Sequence, residues 1–207
     1  MQTGTVHIVD DDAALRTALV RLCVSAGLKA LGYADASALL ADPGIARPAC
    51  ILLDVRLTDE SGLDVQARFQ ASGTTIPIVF LTGYGTIPMT VRAMRGGAVE
   101  FLTKPADDEA ILEAIARALA LDAAAQAAQA AQAALAGRLA SLTGRERDVF
   151  GLAIGGLMNK QIAAELGVSE ITAKVHKRRV MEKMEARSLA DLVRMASELG
   201  IDAPRQR

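Results

Sequence analysis

The chain has 207 residues, enough for one large domain or two small ones, and half of them (51%) are hydrophobic, so core burial is not limiting. Aromatic residues make up 3% and Trp is absent, which implies an aliphatic, Ala-rich core. The formal net charge of -1 hides an asymmetry: residues 1–139 carry 11 basic and 15 acidic side chains, whereas residues 140–207 carry 12 and 9. An acidic front and a basic tail imply different partners, with nucleic acid the candidate for the second part.

Cys23 and Cys50 lie far apart within apolar runs, so the pair reads as buried, reduced thiols and not as a zinc site or a disulfide. No run of about 18 apolar residues and no leader-like N-terminus is present, so no membrane association and a cytoplasmic location are expected.

Strand and helix patterns alternate as far as residue 121. Val6–Asp10 reads as a strand, and Leu15, Leu19 and Leu22 give Ala13–Ser25 helical spacing, closed by Gly27. Lys29–Tyr33 is a weaker strand and Ala36–Leu40 a short helix, broken by Asp42-Pro43-Gly44. Then follow strand Cys50–Asp54, helix Gly62–Gln70, strand Pro77–Leu81, helix Ile87–Arg95 and strand Glu100–Thr103. Such alternation implies a parallel sheet covered on both faces.

Asp122–Gly137 is almost all Ala and Gln, strong helix formers, so Asp107 to about Leu135 reads as one helix of roughly 40 Å at 1.5 Å per residue. It is a spacer or one strand of a two-chain coiled coil. Ile111, Ile115, Leu119, Leu135 and Leu139 are the residues that would line such a seam. From Leu142 onward the pattern is purely helical: Arg145–Ala153, Asn159–Leu166, Ser169–Lys183 and Ser188–Leu199.

Four apolar runs end on polar groups: Asp10, Asp11 and Asp12; Asp54; Thr82; and Lys104. Side by side in a parallel sheet, their carboxyl ends share one crevice, where ligands bind in open α/β sheets. Asp12 suits a helix N-cap. Asp10, Asp11 and Asp54 form a donor set for Mg2+, which removes the repulsion between a carboxylate nucleophile and a phosphoryl group. Asp54 is then the phosphoacceptor, with Lys104 and the Thr82 hydroxyl meeting phosphoryl oxygens.

In the last third, Gln161–Ser169 joins two helices through Gly167, and the second helix carries Lys174, Lys177, Arg178, Arg179 and Lys183. This is a helix-turn-helix arrangement. Lys174 and Arg178, four apart, share a face that suits guanine edges, with Val175 beside them for a thymine methyl. Lys177, Arg179, Asn159 and Lys160 suit phosphates, and Ser169 and Thr172 at the start of the helix are also expected DNA contacts. His176 reads as a packing or phosphate-contact residue.

The segments Val6-His7-Ile8-Val9-Asp10-Asp11, Leu53-Asp54-Val55-Arg56-Leu57, Phe80-Leu81-Thr82-Gly83 and Gly96-Gly97-Ala98-Val99-Glu100-Phe101-Leu102-Thr103-Lys104-Pro105 resemble the receiver domain of response regulators. The segments Leu142–Phe150, Gly156–Ala163 and Val168–His176 resemble the LuxR/FixJ-type DNA-binding domain. The first resemblance implies a flavodoxin-like α/β receiver over residues 3–121, with a five-stranded parallel sheet in the order 2-1-3-4-5. An Ala/Gln-rich helical linker, 122–140, would join it to an all-α, four-helix helix-turn-helix domain over 141–200.

It also implies a sensor histidine kinase as phosphodonor, Mg2+ as cofactor and the Arg56 backbone carbonyl as a further metal ligand. Thr82 and Phe101 would be the switch pair, and Arg56 and Tyr84 would tune phosphate lifetime. Homodimerisation on phosphorylation through the fourth helix and fifth strand would bring double-stranded DNA with two half-sites, and RNA polymerase is a further partner the resemblance allows. Ser188–Leu199 would add a dimer contact. Thr58 stands where that family usually has Pro, a loss expected to loosen the loop after Asp54.

Two competitors remain. A haloacid-dehalogenase-like phosphohydrolase would use Asp10 as nucleophile, but Ala14 stands where it needs Thr or Val. A DNA binder with a vestigial receiver would respond to no phosphoryl mimic. The reading adopted is a phosphorylation-dependent transcriptional regulator, not an enzyme.

Overall fold

The computed structural model describes residues 4–41 and 45–202. The break expected at Asp42-Pro43-Gly44 lies outside the described residues. Among the described residues the order is β1 (Thr5–Val9), α1 (Ala13–Ser25), β2 (Lys29–Tyr33), α2 (Ala36–Leu40), β3 (Ala49–Leu53), α3 (Gly62–Ala71), β4 (Ile78–Thr82), α4 (Ile87–Arg95), β5 (Glu100–Thr103) and α5 (Asp108–Ala140). The helices α6 (Gly144–Ile154), α7 (Asn159–Leu166), α8 (Glu170–Met184) and α9 (Leu189–Glu198) complete it.

The five strands are parallel in the order β2-β1-β3-β4-β5. Alternate residues face opposite sides, as a two-residue strand period requires. Val6, Ile8, Cys50, Leu52, Val79 and Leu81 pack on α1 and α5, through Leu19, Cys23, Ile111, Ile115 and Leu119. Val9, Ile51, Leu53, Ile78 and Phe80 face α2, α3 and α4, through Leu39, Val65, Phe69 and Ala93. β1, β3 and β4 are wholly buried, which is why they read as unbroken apolar runs. β2 is an edge strand with exposed positions, hence its weaker pattern. Both cysteine thiols are buried, and burial pushes Cys23 up to about 11 and Cys50 higher still, so neither is a thiolate at neutral pH.

The helix α5 is longer than the sequence pattern predicts, running through Gly137 to Ala140. The division between two compact units falls inside it, between Ala127 and Ala128. The residues that would line a coiled-coil seam are spent elsewhere. Ile111, Ile115 and Leu119 lie in the sheet core, while Leu135, with Leu139 packed beside it, belongs to the core of the second unit. Side chains committed to two interiors cannot also line a continuous contact with a second chain.

Around Leu135 gather Leu142 from the turn before α6, and Val149, Phe150, Ile162, Val180, Met184, Leu192 and Ala196 from α6 to α9. The helices α6, α8 and α9 start on side-chain caps that the sequence announces, whereas α7 starts at Met158, whose N–H donates to the Gln161 side chain. Thr143 and Glu146 form a reciprocal capping box, and Ser169 and Ser188 accept from the third residue beyond them. Gly167 ends α7 in the left-handed conformation (φ 64°), which gives the short turn into α8.

Candidate phosphoryl-acceptor site and nucleic-acid face

The register of the sheet carries the site. Val9 pairs with Leu53, so the next residues, Asp10 and Asp54, emerge side by side. Thr82 pairs with Thr103, so Lys104 follows next to Thr82, its N–H donating to the Thr82 carbonyl at 2.7 Å. All four strand ends meet at the carboxyl edge of the sheet, as expected for this architecture.

Asp10 and Asp54 are buried, and Lys104 is half-buried between them. Lys104 Nζ donates to Asp54 Oδ2 at 2.6 Å and to Asp10 Oδ2 at 2.8 Å. The remaining oxygens are also engaged: Asp10 Oδ1 accepts from the Asp12 N–H and Asp54 Oδ1 from the Arg56 N–H, both at 3.0 Å. Burial pushes the Asp10 carboxyl above its ordinary range, outweighing Lys104 and the Asp12 N–H, which act the other way. Burial would lower the Lys104 ammonium, but its bonds to Asp10 and Asp54 outweigh that and hold it raised, hence charged. Asp10, Asp11 and Asp54 each offer an oxygen within 4.8 Å of the others. Three carboxylates at that spacing suit a hard divalent cation, so the residues present fit a metal.

Asp12 caps α1, accepting from the N–H groups of Ala14 and Leu15. Those bonds, Leu15 first, hold its carboxyl below the ordinary range. Thr82 is fully buried, and its hydroxyl accepts from the Tyr84 N–H at 3.4 Å. Phe101 is half-buried, its ring 5.9 Å from that of Phe80. The Arg56 guanidinium lies 3.8 Å over the Tyr84 ring, a cation–π contact beside the acidic crevice.

Two glycines allow close approaches that sequence reading left unremarked. A Cβ on Gly62 would fall 2.1 Å from the Asp54 carbonyl oxygen, and one on Gly85 would fall 3.0 Å from Phe101. The loop after Asp54 is held by Leu57 N–H to the Glu60 carbonyl, Gly62 N–H to the Val55 carbonyl and a bridge between Arg56 and Ser61. Thr58 in place of Pro therefore does not leave it untethered, and its hydroxyl donates to Asp11 Oδ2 at 2.8 Å.

In the second unit, α8 turns Ala173, Val180 and Met184 inward. Their spacing of seven and four leaves the opposite stripe, Ile171, Lys174, Val175, Arg178 and Glu182, facing solvent. Ile171 is 78% exposed, an apolar side chain at the first turn that sequence reading passed over. Arg179 and Lys160 are exposed, and Lys177 and Asn159 half-buried. Ser169 and Thr172 are occupied in the cap, with Ser169 Oγ accepting from the Thr172 N–H at 3.1 Å. His176 is half-buried. Lys183 faces away from the solvent stripe, where its ammonium reaches Glu146 at 2.6 Å.

The family profile described as "Response regulator receiver domain" matches residues 6–116, and that of "Bacterial regulatory proteins, luxR family" matches residues 140–196. Nodulation protein W of Bradyrhizobium diazoefficiens is 46% identical over 198 residues, 96% of this chain and 87% of that protein. Transcriptional regulatory protein FixJ of Azorhizobium caulinodans is 40% identical over 197 residues, 95% and 93% of the two chains. The solved structure of response regulator StyR is 45% identical, covers 94% of this chain and 98% of that one, and superposes with a TM-score of 0.87. With the acidic crevice and the helix-turn-helix in place, these similarities establish that the chain belongs to the two-component response regulators that join a receiver domain to a luxR-family DNA-binding domain.

Proposed function

We propose that Asp54 accepts a phosphoryl group from a sensor histidine kinase and that the resulting acyl phosphate controls DNA binding through α8. The observation that carries this reading is the placement of Lys104 Nζ between Asp10 and Asp54, at 2.8 and 2.6 Å. A cation already seated against the acceptor carboxylate lowers its repulsion toward an incoming anion, which is the main task in phosphoryl transfer. An Asp54 carboxylate oxygen attacks phosphorus. The O–P bond forms as the P–N bond of the phosphohistidine breaks, and the imidazole nitrogen keeps that electron pair.

Asp10, Asp11 and Asp54, with the Arg56 carbonyl, are the groups that would hold Mg2+, whose charge would offset that of the phosphoryl oxygens when bound. Lys104 then moves its donors to one phosphoryl oxygen, and the Thr82 hydroxyl turns from the Tyr84 N–H to another. The volume Thr82 leaves is open to Phe101, whose ring abuts Gly85. In this reading the rearranged face formed by α4 and β5 pairs two chains, and each presents α8 to one DNA half-site. Lys174, Val175 and Arg178 meet base edges, while Asn159, Lys160, Ser169, Thr172, Lys177 and Arg179 meet the backbone. RNA polymerase is the partner such a bound dimer would meet. No helix among the described residues is long and apolar enough to cross a membrane.

Incubation with acetyl phosphate and Mg2+ tests the assignment. The expected result is phosphoryl uptake by the chain and none by Asp54→Asn; undiminished uptake by that variant would remove Asp54 from the reaction.

A further inference from the structure

Thr58 is the odd residue of the acidic crevice. It comes from the β3–α3 loop, yet its hydroxyl crosses to the β1–α1 loop and donates to Asp11 Oδ2 at 2.8 Å. Asp11 is less firmly held than its neighbours. Asp10 and Asp54 are buried, and both oxygens of each are engaged by Lys104 and backbone N–H groups. Asp11 is exposed and forms no ion pair among the described residues; the Thr58 hydroxyl is the hydrogen bond its side chain receives there. A carboxylate so placed would otherwise be free to rotate into solvent.

The donor itself is well fixed. Two backbone hydrogen bonds and the bridge between Arg56 and Ser61 hold the loop on which Thr58 sits. A β-branched side chain is also stiff at χ1, so little rotamer freedom remains for the hydroxyl to lose. The bond engages Oδ2 of Asp11, and Asp11 offers an oxygen within 4.8 Å of those of Asp10 and Asp54. A hydroxyl tied to one oxygen of a metal-binding carboxylate orients the other, and outer partners of this kind set metal affinity.

We propose that Thr58 is a positioning residue for the divalent cation: its hydroxyl holds the Asp11 carboxylate toward Asp10 and Asp54 and thereby raises the affinity of the site. This rests on the reading of those three carboxylates as the metal site. Thr58 then supplies orientation through a side-chain bond, a different means from the rigid loop that Pro would give at the same place.

The test is Mn2+ binding to the full-length chain, followed by the electron paramagnetic resonance signal of free Mn2+ and competed with Mg2+. Thr58→Val keeps the shape and removes the donor, and is expected to weaken Mn2+ binding about tenfold. Thr58→Ser restores the donor and should bind within about twofold of the wild type, a rescue that simple packing would not produce. In an Asp11→Ala background, the Thr58→Val change should have no further effect, because the two residues act through one bond. Equal or tighter binding by Thr58→Val, with its unfolding midpoint unchanged, would overturn the proposal while leaving the metal site standing. Absence of any Mg2+-displaceable Mn2+ binding to the wild type would overturn both.

Discussion

Lys183 Nζ lies 2.6 Å from Glu146 Oε2 and 3.1 Å from the Ser141 carbonyl, so the last basic residue of α8 is bound into its own domain. The Lys183 ammonium beside it, with the Thr143 N–H, holds the Glu146 carboxyl at about 2, below its ordinary value of 4.5. A carboxyl depressed in the folded state adds stability above its unfolded value and loses it as pH falls through the folded one. The contribution of Glu146 to the unfolding midpoint should therefore be complete above about pH 4.5 and be lost as pH falls toward 2. Lys183→Met should lower the midpoint at neutral pH and flatten that fall, whereas a thermal melt series showing the same acid profile in both proteins would contradict the link. DNA affinity per folded molecule should change little.

Among the described residues, Lys104 is the lysine paired with Asp10 and Asp54, so it carries the positive charge that faces the proposed acceptor. Lys104→Met should slow phosphoryl uptake from acetyl phosphate by on the order of 10²–10³-fold, the usual loss for one group that stabilises transition-state charge. The same variant removes a positive charge that competes with metal for Asp10 and Asp54, so the Mg2+ concentration that half-saturates the site should fall. Stopped reactions resolved on a phosphate-affinity gel across a Mg2+ series would measure both.

Gly85 abuts the edge of Phe101 and the methyl of Thr103, so it has no room for a larger side chain. Gly85→Val should obstruct movement of Phe101 and reduce dimerisation in response to beryllofluoride, with phosphoryl uptake at Asp54 largely kept. Light scattering after gel filtration reads the first, and acetyl phosphate labelling the second. Full beryllofluoride-induced dimerisation of the variant would show that Phe101 does not need that space.

Ile115 is fully buried against the sheet. Ile115→Ala should cost about 2–5 kcal/mol of stability, the range for truncating a large aliphatic core residue. If Ile115 instead lined a seam between chains, the loss would depend on protein concentration. Urea unfolding at two concentrations separates the cases, and a concentration-independent midpoint shift is the expected result.

Much of the fold is legible in sequence because its strands are buried on both faces and end on polar residues. Asp10, Asp54, Thr82 and Lys104 are legible as a set because parallel register forces strand ends together. The bounds of α4 also follow from a local cap and breaker, Thr86 and Gly96. Other features have no local signal. Helical periodicity is the same for a core face and for a coiled-coil seam, so Ile115 and Leu135 are ambiguous until their neighbours are known. Gly137 reads as a stop, but its cost of about 1 kcal/mol is small beside the packing of Leu135 and Leu139 on either side of it. Lys183 counts toward a basic helix until Glu146, 37 residues earlier, is found beside it. The hydroxyl of Thr58 meets Asp11 across 47 residues, and no spacing rule reaches that far.

Asp122 shows how far the receiver's packing extends along α5. Its side chain is fully shielded, forms an ion pair with Arg47, and accepts the Ala49 N–H at 2.8 Å, at the opposite end of β3 from Asp54. A receiver fragment cut at residue 121 would leave the Arg47 guanidinium facing its shielded slot with no counter-charge and the Ala49 amide with no acceptor. Excision of a stable isolated receiver should accordingly extend several residues into the Ala/Gln tract, and the melting temperatures of fragments ending on either side of this aspartate would differ sharply.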